Sequence, residues 1–221
     1  MNKLLSSLFV VFVASVTALS ASAQEVTGDV KAGAGKIAMC IGCHGIKGYQ
    51  ASFPEVYKVP MISGQGEKYI AAALHAYQKG ERKHPSMRGI AGGLDDQDIA
   101  DVAAYYAASG QQGAGATPAG TAPANAKAAE LIAKGGCVAC HGDNFNKPID
   151  PSYPKVAGQH ADYLFAALKS YKSEGHTTWG RSNAIMGGIA KQFSNNELKT
   201  LANYLHTLPG DLHTVPQHKF K

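Results

Sequence analysis

The sequence predicts an all-α protein built from two tandem helical domains of similar size. Three observations support this prediction. A short cysteine motif occurs twice, apolar residues recur at helical spacing in both halves, and an uncharged segment rich in Gly, Ala and Pro separates the halves. Neither half shows the alternation of apolar and polar residues that is typical of a half-buried strand. We therefore expect two copies of one small helical fold.

The two halves align as an internal repeat. In the first half, "SGQGEKYIAAALHAYQ" corresponds to "AGQHADYLFAALKSYK" in the second, and "MRGIAGGLDDQDIADVAAYY" corresponds to "MGGIAKQFSNNELKTLANYL". Each half therefore contains a cysteine motif, a helix after Gly-Gln, a methionine and a final helix. The alignment is anchored at three pairs of positions, which are Cys40 with Cys137, Ser63 with Ala157, and Met87 with Met186.

Apolar residues with helical spacing follow each Gly-Gln pair. They are Ile70, Leu74 and Tyr77 in the first half, and Leu164, Leu168 and Tyr171 in the second. Each final helix is predicted to begin with a capping box, in which two side chains three residues apart each accept a hydrogen bond from the other's backbone N–H. The boxes are Asp95-x-x-Asp98, an acidic variant, and Ser194-x-x-Glu197.

The chain begins with a segment typical of an export signal. Lys3 precedes a mostly apolar run, and Ala21-Ser22-Ala23 fits the small-x-small pattern of a cleavage site. The run is shorter than the roughly 20 apolar residues that a membrane-spanning helix needs. We therefore expect cleavage and export to a bacterial periplasm.

Composition divides the rest of the chain. The segment "GQQGAGATPAGTAPANA" has no charge and no large apolar residue, so it cannot bury a core and is predicted to be a linker. The predicted organisation is a signal peptide at 1–23, a first domain at 24–109, the linker at 110–126, a second domain at 127–208 and a mobile C-terminal tail at 209–221.

Charge excludes one class of partner. The chain has 21 Lys and Arg against 16 Asp and Glu, a formal net charge of +5. These basic residues are spread out and form no stripe with interleaved aromatic residues, which a nucleic-acid interface would need. We expect protein partners, no nucleic acid, and at most peripheral association with membrane complexes.

All four cysteines lie in two copies of Cys-x-x-Cys-His, "CIGCH" and "CVACH". A thioredoxin-like dithiol would need a βαβ context, which the pattern lacks. A zinc ion would need ligands pooled from both motifs and would leave the adjacent His unexplained. Structural disulfides are a further alternative, because an exported chain meets an oxidising compartment.

Covalent haem accounts for every residue of the motif. Two thiols three residues apart lie on one helical turn and can add to the two vinyl groups on one edge of a porphyrin. The next residue, His, is then held beneath the iron as the proximal ligand, through a neutral imidazole nitrogen. The sequence thus predicts two c-type haems. The residues concerned are Cys40, Cys43 and His44 in the first half, and Cys137, Cys140 and His141 in the second.

The repeat also predicts the sixth ligand of each iron. Met186 is the only methionine of the second half, and it corresponds to Met87 in the first. A thioether ligand raises the reduction potential, and an iron with both axial positions filled is suited to passing single electrons. The rival side chains, none of which has an equivalent in the other half, are His84, His176, Met39 and Met61.

Other residues are predicted to lie near the haems. Pro60 and Pro154 match in the repeat and are expected to shape the proximal wall. Arg82 and Arg181 also match, and two roles stay open for them, a solvated helix end or contact with haem propionates. Trp179, the only tryptophan, is expected to pack beside the second haem.

Together these motifs resemble the dihaem cytochrome c4 family, in which two class I cytochrome c domains are joined by a linker. The resemblance covers nearly all of residues 24–208. It implies a periplasmic electron carrier with haem propionates that face each other across the domain interface. The sequence departs from the family's pattern at two places, and both affect hydrogen bonding beside the haems. His84 stands where the second half has Asn183, and "GHTTWGR" makes the approach to Met186 unusual.

The predicted function is transport of single electrons, without enzymatic activity, from a quinol-oxidising complex to a terminal oxidase. One alternative is the cytochrome subunit of a periplasmic dehydrogenase, for example a sulfide-oxidising one. Another is a dihaem enzyme, such as a thiosulfate dehydrogenase or a peroxidase. An enzyme would need one haem with a displaced or non-Met ligand, whereas the repeat supplies a methionine to both.

Overall fold

The computed structural model describes residues 26–109, 126–173 and 175–216. The predicted signal peptide at 1–23 lies outside these ranges, and so do residues 110–125 of the predicted linker. The described ranges are mostly helical, with strands of only two residues, which agrees with the predicted all-α class. Within those ranges no helix is both long enough and apolar enough to cross a bilayer.

The described part of the first half has five helices and three short strands. In chain order they are α1 (Val30–Lys36), α2 (Ala38–His44), β1 (Gln50–Ala51), β2 (Tyr57–Lys58), α3 (Glu67–Lys79), β3 (Arg82–Lys83), α4 (Pro85–Gly92) and α5 (Asp96–Ser109).

The described part of the second half repeats this helix order. Its elements are α6 (Ala126–Gly135), α7 (Val138–His141), α8 (Ala161–Ser170), β4 (Gly180–Arg181), α9 (Ala184–Ala190) and α10 (Asn195–Thr207).

In the first half, α5 is the central helix, and α1 and α3 both pack against it. The α1–α5 crossing is very close, since a Cβ on Gly33 would lie 2.1 Å from the backbone oxygen of Asp101. Glycine is therefore required where the two backbones meet. The buried core residues include Ile37, Ile70, Leu74, Ile99, Val102 and Tyr106.

The second half has its own core, in which α6 and α8 pack against α10. Leu131, Phe193, Leu198 and Leu201 form the buried cluster. Both predicted capping boxes are confirmed, because each pair of side chains accepts from the other's backbone N–H. Each half thus buries apolar residues among its own helices.

Two buried glutamines connect the halves across their interface. Gln65 donates from Nε2 to the backbone oxygen of Lys155 and accepts from its N–H, both at 2.9 Å. Gln159 forms the same pair of bonds with Met61, at 2.8 and 3.0 Å. Since Gln65 matches Gln159 and Met61 matches Lys155 in the repeat, the interface joins the same patch of both domains, as in a two-fold dimer.

Further contacts cross the interface. Strands β3 and β4 pair antiparallel, with Arg82 opposite Arg181. Lys58 forms a salt bridge with Asp162 at 3.3 Å, and its backbone N–H donates to the same carboxylate. The two domains therefore have a defined arrangement in which matched segments meet.

The expectation of a mobile tail is wrong for residues 209–216. Leu212 is only 3 % exposed. The N–H of His213 donates to the backbone oxygen of Ser63 in the first domain, at 3.2 Å. Asp211 forms a salt bridge with Lys155. This part of the tail returns from the second domain and packs along the interface. The sequence did not predict this packing, because the tail has no counterpart in the repeat.

Candidate haem-binding sites

The cysteine motifs lie at the ends of short helices. Helix α2 contains Cys40, Cys43 and His44, whereas Cys137 is the N-cap of α7, which ends at His141. All four cysteines are partly buried, and none of them forms a disulfide. The predicted spacing on one helical turn is therefore present in both halves.

Each motif histidine is held by the matched proline. His44 Nδ1 donates to the backbone oxygen of Pro60 at 2.9 Å, and His141 Nδ1 donates to that of Pro154 at 3.0 Å. A proton on Nδ1 leaves Nε2 as the lone-pair atom that can bind a metal. Burial also lowers the pKa of both histidines, which favours the neutral ring. Both prolines therefore contact the motif histidine through their backbone and line the same cavity, where the sequence placed them in a proximal wall.

The two predicted methionine ligands occupy equivalent positions in α4 and α9. Each is the third helical residue, and its backbone N–H donates to the side chain of the N-cap residue. In the first half, Met87 donates to Nδ1 of His84 at 3.4 Å, and in the second, Met186 donates to Oδ1 of Asn183 at 2.9 Å. The departure at His84 therefore preserves the cap, with a longer bond.

A single cavity of about 900 Å³ extends through both halves. This volume lies at the upper end of the roughly 300–1,000 Å³ that is typical of ligand pockets. All eight predicted site residues line it, and they are Cys40, Cys43, His44, Met87, Cys137, Cys140, His141 and Met186. The structure thus brings together every side chain that the sequence assigned to the haems.

The rival ligands have other roles or positions. His84 caps α4 through Nδ1. His176 is exposed and its ring lies tilted against that of Trp179, with ring centroids 4.8 Å apart. Met39 is 70 % exposed. Met61 contributes its backbone to the domain interface. Trp179 lines the cavity, as its expected packing beside the second haem requires.

The other cysteine chemistries do not suit this geometry. Among the described residues, no three or more His, Cys, Asp or Glu side chains are grouped as a metal ion would require, so the motifs do not converge on one zinc. Burial raises the pKa of the Cys40 and Cys137 thiols. A redox-active dithiol has a lowered thiol pKa instead.

Two arginines line the cavity at the domain boundary, and they supply a test of fit for a haem. Neither guanidinium lies within ion-pair distance of a carboxylate in the described ranges, and Nε of Arg82 is buried without a hydrogen-bond partner there. Buried cations need anionic partners. Haem propionates would meet this need. The other role left open for Arg82 and Arg181 was a solvated helix end. Both residues lie instead in paired strands beside the cavity, so that role does not fit them.

Sequence reasoning missed two sets of polar residues that line the cavity and also lie at the domain interface. The Gly-Gln pattern predicts only a helix start at Gln65 and Gln159, and no sequence pattern predicts a role for Tyr69 and Tyr163. Instead, the glutamines cross the interface, and the tyrosine hydroxyls accept from Arg82 or Arg181. The available signal was their identity at matched positions of the repeat.

Two helical domains, each with a Cys-x-x-Cys-His motif and a methionine along one apolar cavity, define a tandem c-type cytochrome. The family model for cytochrome c matches twice, at residues 30–108 and 125–209. The chain belongs to the cytochrome c family, and within it to the dihaem cytochromes c4. Each of its two domains has a covalently bound c-type haem, and the molecule carries electrons.

Individual relatives agree with this assignment. Cytochrome c4 of Stutzerimonas stutzeri is 34 % identical over 226 residues, which cover 94 % of this chain and all of that protein. A protein of Stutzerimonas stutzeri strain A1501 named thiosulfate dehydrogenase electron acceptor is 32 % identical, with 84 % of this chain and 88 % of that one covered. The crystal structure of reduced recombinant cytochrome c4 from Pseudomonas stutzeri superposes with a TM-score of 0.61 at 30 % identity, covering 82 % of this chain and all of that chain.

Proposed function

We propose that this cytochrome is a periplasmic electron carrier without enzymatic activity, in which each domain attaches one haem through its own cysteine motif. The proposed thioether residues are Cys40 and Cys43 in the first domain, and Cys137 and Cys140 in the second. The proposed axial ligands are His44 with Met87, and His141 with Met186. The presence of all eight side chains along one cavity supports this set.

One observation carries the proposal. In both halves the motif histidine donates from Nδ1 to a proline carbonyl, at 2.9 and 3.0 Å, so Nε2 is the atom left for a metal. This bond fixes both the tautomer and the orientation of the ring. An imidazole already fixed in this way needs little rearrangement when the charge on a bound iron changes.

A haem held by these residues would supply one-electron chemistry through its iron. The protein supplies the conditions for that chemistry. Apolar residues such as Leu74, Val102, Leu164 and Leu201 line the cavity and exclude water. Arg82 and Arg181 supply positive charge at the domain boundary, where propionates would otherwise be buried without a counter-charge.

The partners and the compartment follow from less direct observations. The export-signal pattern at the N-terminus supports a periplasmic location. A quinol-oxidising complex as donor and a terminal oxidase as acceptor are the partners that the family resemblance favours. Both would bind reversibly, since a carrier must release each partner, and transient redox contacts have small interfaces.

A second donor is supported by a relative. The name thiosulfate dehydrogenase electron acceptor describes a carrier that is 32 % identical to this chain. By analogy with that relative, this cytochrome would accept electrons from such a dehydrogenase, either as a free carrier or as a bound subunit. Stopped-flow reduction by a purified quinol-oxidising complex and by a thiosulfate dehydrogenase would identify the faster donor, and size-exclusion of the native protein would detect a bound subunit.

The ligand assignment is tested by replacing one methionine at a time. Met87→Ala and Met186→Ala should each keep two covalent haems but lower the reduction potential of one, because the thioether raises it. The measurement is a redox titration followed by visible spectroscopy. Met39→Ala is the matched control, because Met39 is 70 % exposed, and it should leave both potentials unchanged.

An unchanged ferric spectrum and potential in Met87→Ala would contradict its assignment and point to His84 as the ligand. The same result in Met186→Ala would point to His176. If one haem of the unaltered protein lacked methionine ligation, the dihaem enzyme would become the better interpretation.

A further inference from the structure

A single tyrosine hydroxyl connects the two domains where both haem sites meet. The hydroxyl of Tyr163 accepts from Nη2 of Arg82 at 2.8 Å and from Nη2 of Arg181 at 3.1 Å. Arg82 belongs to the first domain, and Arg181 and Tyr163 belong to the second. All three line the shared cavity, and the two arginines are opposite each other in the β3–β4 pairing.

The repeat shows that this connection is not symmetric. Tyr69 is the first-domain equivalent of Tyr163, yet among the residues that the structure describes its hydroxyl accepts only from Arg82, at 3.1 Å. Arg181 makes its other bond within its own domain, to Tyr171 at 3.5 Å. Tyr163 therefore joins the cations of both domains, whereas Tyr69 contacts the cation of one.

The electrostatics of the matched tyrosines differ accordingly. Burial raises the pKa of the Tyr69 hydroxyl, and the positive charges of Arg82 and Arg181, which act to lower it, do not reverse this. Burial also acts to raise the pKa of Tyr163, but the positive charges of Arg181 and Arg82 outweigh it and lower that pKa to about 8. The Tyr163 oxygen accepts hydrogen bonds from both guanidinium groups, and this direct contact distinguishes it from the Tyr69 oxygen.

Two like charges held together inside a protein repel each other, and the repulsion is stronger there than in water. A hydroxyl oxygen that accepts a hydrogen bond from both guanidinium groups offsets part of this repulsion, because hydrogen bonds from charged donors are strong. Without that oxygen the guanidinium groups would separate. Their position matters for the haems, because nearby positive charge favours the ferrous state over the ferric one.

We propose that Tyr163 is a positioning residue that fixes Arg82 and Arg181 between the two haem sites, so that both reduction potentials depend on one hydroxyl. Through this shared cluster, the charge at one haem influences the potential of the other. The inference rests on the dihaem carrier proposed above, and it does not depend on the identity of the axial ligands or of the partners.

The test compares Tyr163→Phe with its repeat equivalent, Tyr69→Phe. Each variant is titrated with dithionite and ferricyanide while visible spectra are recorded. The two transitions are assigned to domains by NMR contacts between haem methyl groups and neighbouring side chains. Tyr163→Phe should lower both potentials, because the cations move away from both sites. Tyr69→Phe should lower only the potential of the first domain.

Three results would overturn the proposal. In Tyr163→Phe, a change in the second-domain potential alone would contradict it, and so would no change in either potential. In Tyr69→Phe, a change in both potentials would contradict it. These results are distinguishable from failure of the proposed function, which would appear as missing methionine ligation in the unaltered protein.

Arg82→Lys provides an independent arm if Tyr163→Phe fails to retain two haems, as measured by denatured mass. Lysine keeps the charge but cannot donate from one planar group to two hydroxyls. The first-domain substitution should therefore also shift the potential of the second-domain haem. A shift confined to the first domain would contradict the shared role of Tyr163.

Discussion

His44 and His141 show how a short motif depends on a distant residue. Each ring is fixed by a proline carbonyl that lies 16 residues on in the first half and 13 in the second. The motif alone identifies the histidine, but the bond to the proline determines which nitrogen is free. Because Pro60 and Pro154 match in the repeat, the sequence could identify the residues, although not the backbone contact.

The cysteines yield the first prediction at this scale. Cys40→Ala should reduce covalent haem in the first domain, and Cys137→Ala in the second, because each removes one of two thioethers. Denatured mass would show one haem fewer, or one that is partly lost, in each variant. An unchanged mass would mean that the position forms no thioether.

The N-cap residues of α4 and α9 yield a second prediction. His84 and Asn183 both accept from the backbone N–H of the methionine that follows three residues later. His84→Asn should therefore preserve the first domain, whereas His84→Ala should destabilise it by about 1 kcal/mol, the usual cost of losing a cap. Denaturant unfolding and the redox titration of the first haem would measure the two effects.

Asn183→Ala is the matched variant in the second domain, and it should cost a similar free energy of unfolding. If His84→Asn were as destabilising as His84→Ala, the ring of His84 would have a role beyond the cap, and its place as a rival ligand would have to be reconsidered.

At the scale of elements, the helices could be predicted well because their start signals are local. Helix α3 begins directly after Gly66, as the Gly-Gln pattern predicts, and both capping boxes form. The close α1–α5 crossing could not be predicted. Its cause is two glycines, Gly28 just before α1 and Gly33 within it, that approach the α5 backbone some 70 residues away. Spacing within one helix does not identify such a partner.

The α1–α5 contact also contains a buried carboxylate. The Asp101 side chain is 3 % exposed and accepts from Lys36 Nζ at 2.6 Å, from the Asp29 N–H at 2.7 Å and from Gln97 Nε2 at 2.9 Å. The hydrogen bond from Lys36 is the largest of the effects that lower its pKa, from 3.8 to about 2. The repeat places Thr200 at the equivalent position.

A pH prediction follows from this shift. A carboxylate with a lowered pKa in the folded state stabilises the fold above its unfolded pKa, and the contribution is lost as pH falls through the folded pKa. The first domain should therefore lose stability between about pH 4 and pH 2. Asp101→Asn should be less stable at neutral pH and lose less over that interval. Amide NMR signals of each domain during thermal unfolding would measure this.

Asp96→Asn is the control, because it removes an exposed carboxylate from the same helix. It should keep the acid-dependent loss of stability. If Asp101→Asn followed the same pH profile as the unaltered protein, another carboxylate would be responsible.

At the scale of the whole molecule, the repeat predicted two domains but not how they meet. Self-similarity identifies equivalent positions, yet it does not indicate which surfaces are buried between the copies. Gln65 and Gln159 are each about 5 % exposed or less, and this is explained only by the reciprocal bonds across the interface. The packing of the tail could not be predicted for the same reason, since its partner Ser63 lies in the other domain.

The glutamine pairs predict that the interface, and not the linker, holds the domains together. Gln65→Leu with Gln159→Leu would leave backbone groups of Lys155 and Met61 without their partners, at roughly 1–3 kcal/mol for each buried group. A protease site placed within residues 110–125 of the full chain allows cleavage of the tether. After cleavage, the otherwise unaltered protein should elute from size-exclusion as one 1:1 complex.

The double variant should instead separate into two halves after cleavage, because it lacks both reciprocal pairs. Gln78→Leu is the matched control. Gln78 donates to the backbone oxygens of Ala91 and Leu94 within the first domain, so its loss should weaken that domain without separating the halves. Separation of the cleaved but otherwise unaltered chain would show that the tether is required. In that case the arginine–tyrosine cluster between the haems would also depend on an intact linker, since local concentration would then hold the interface closed.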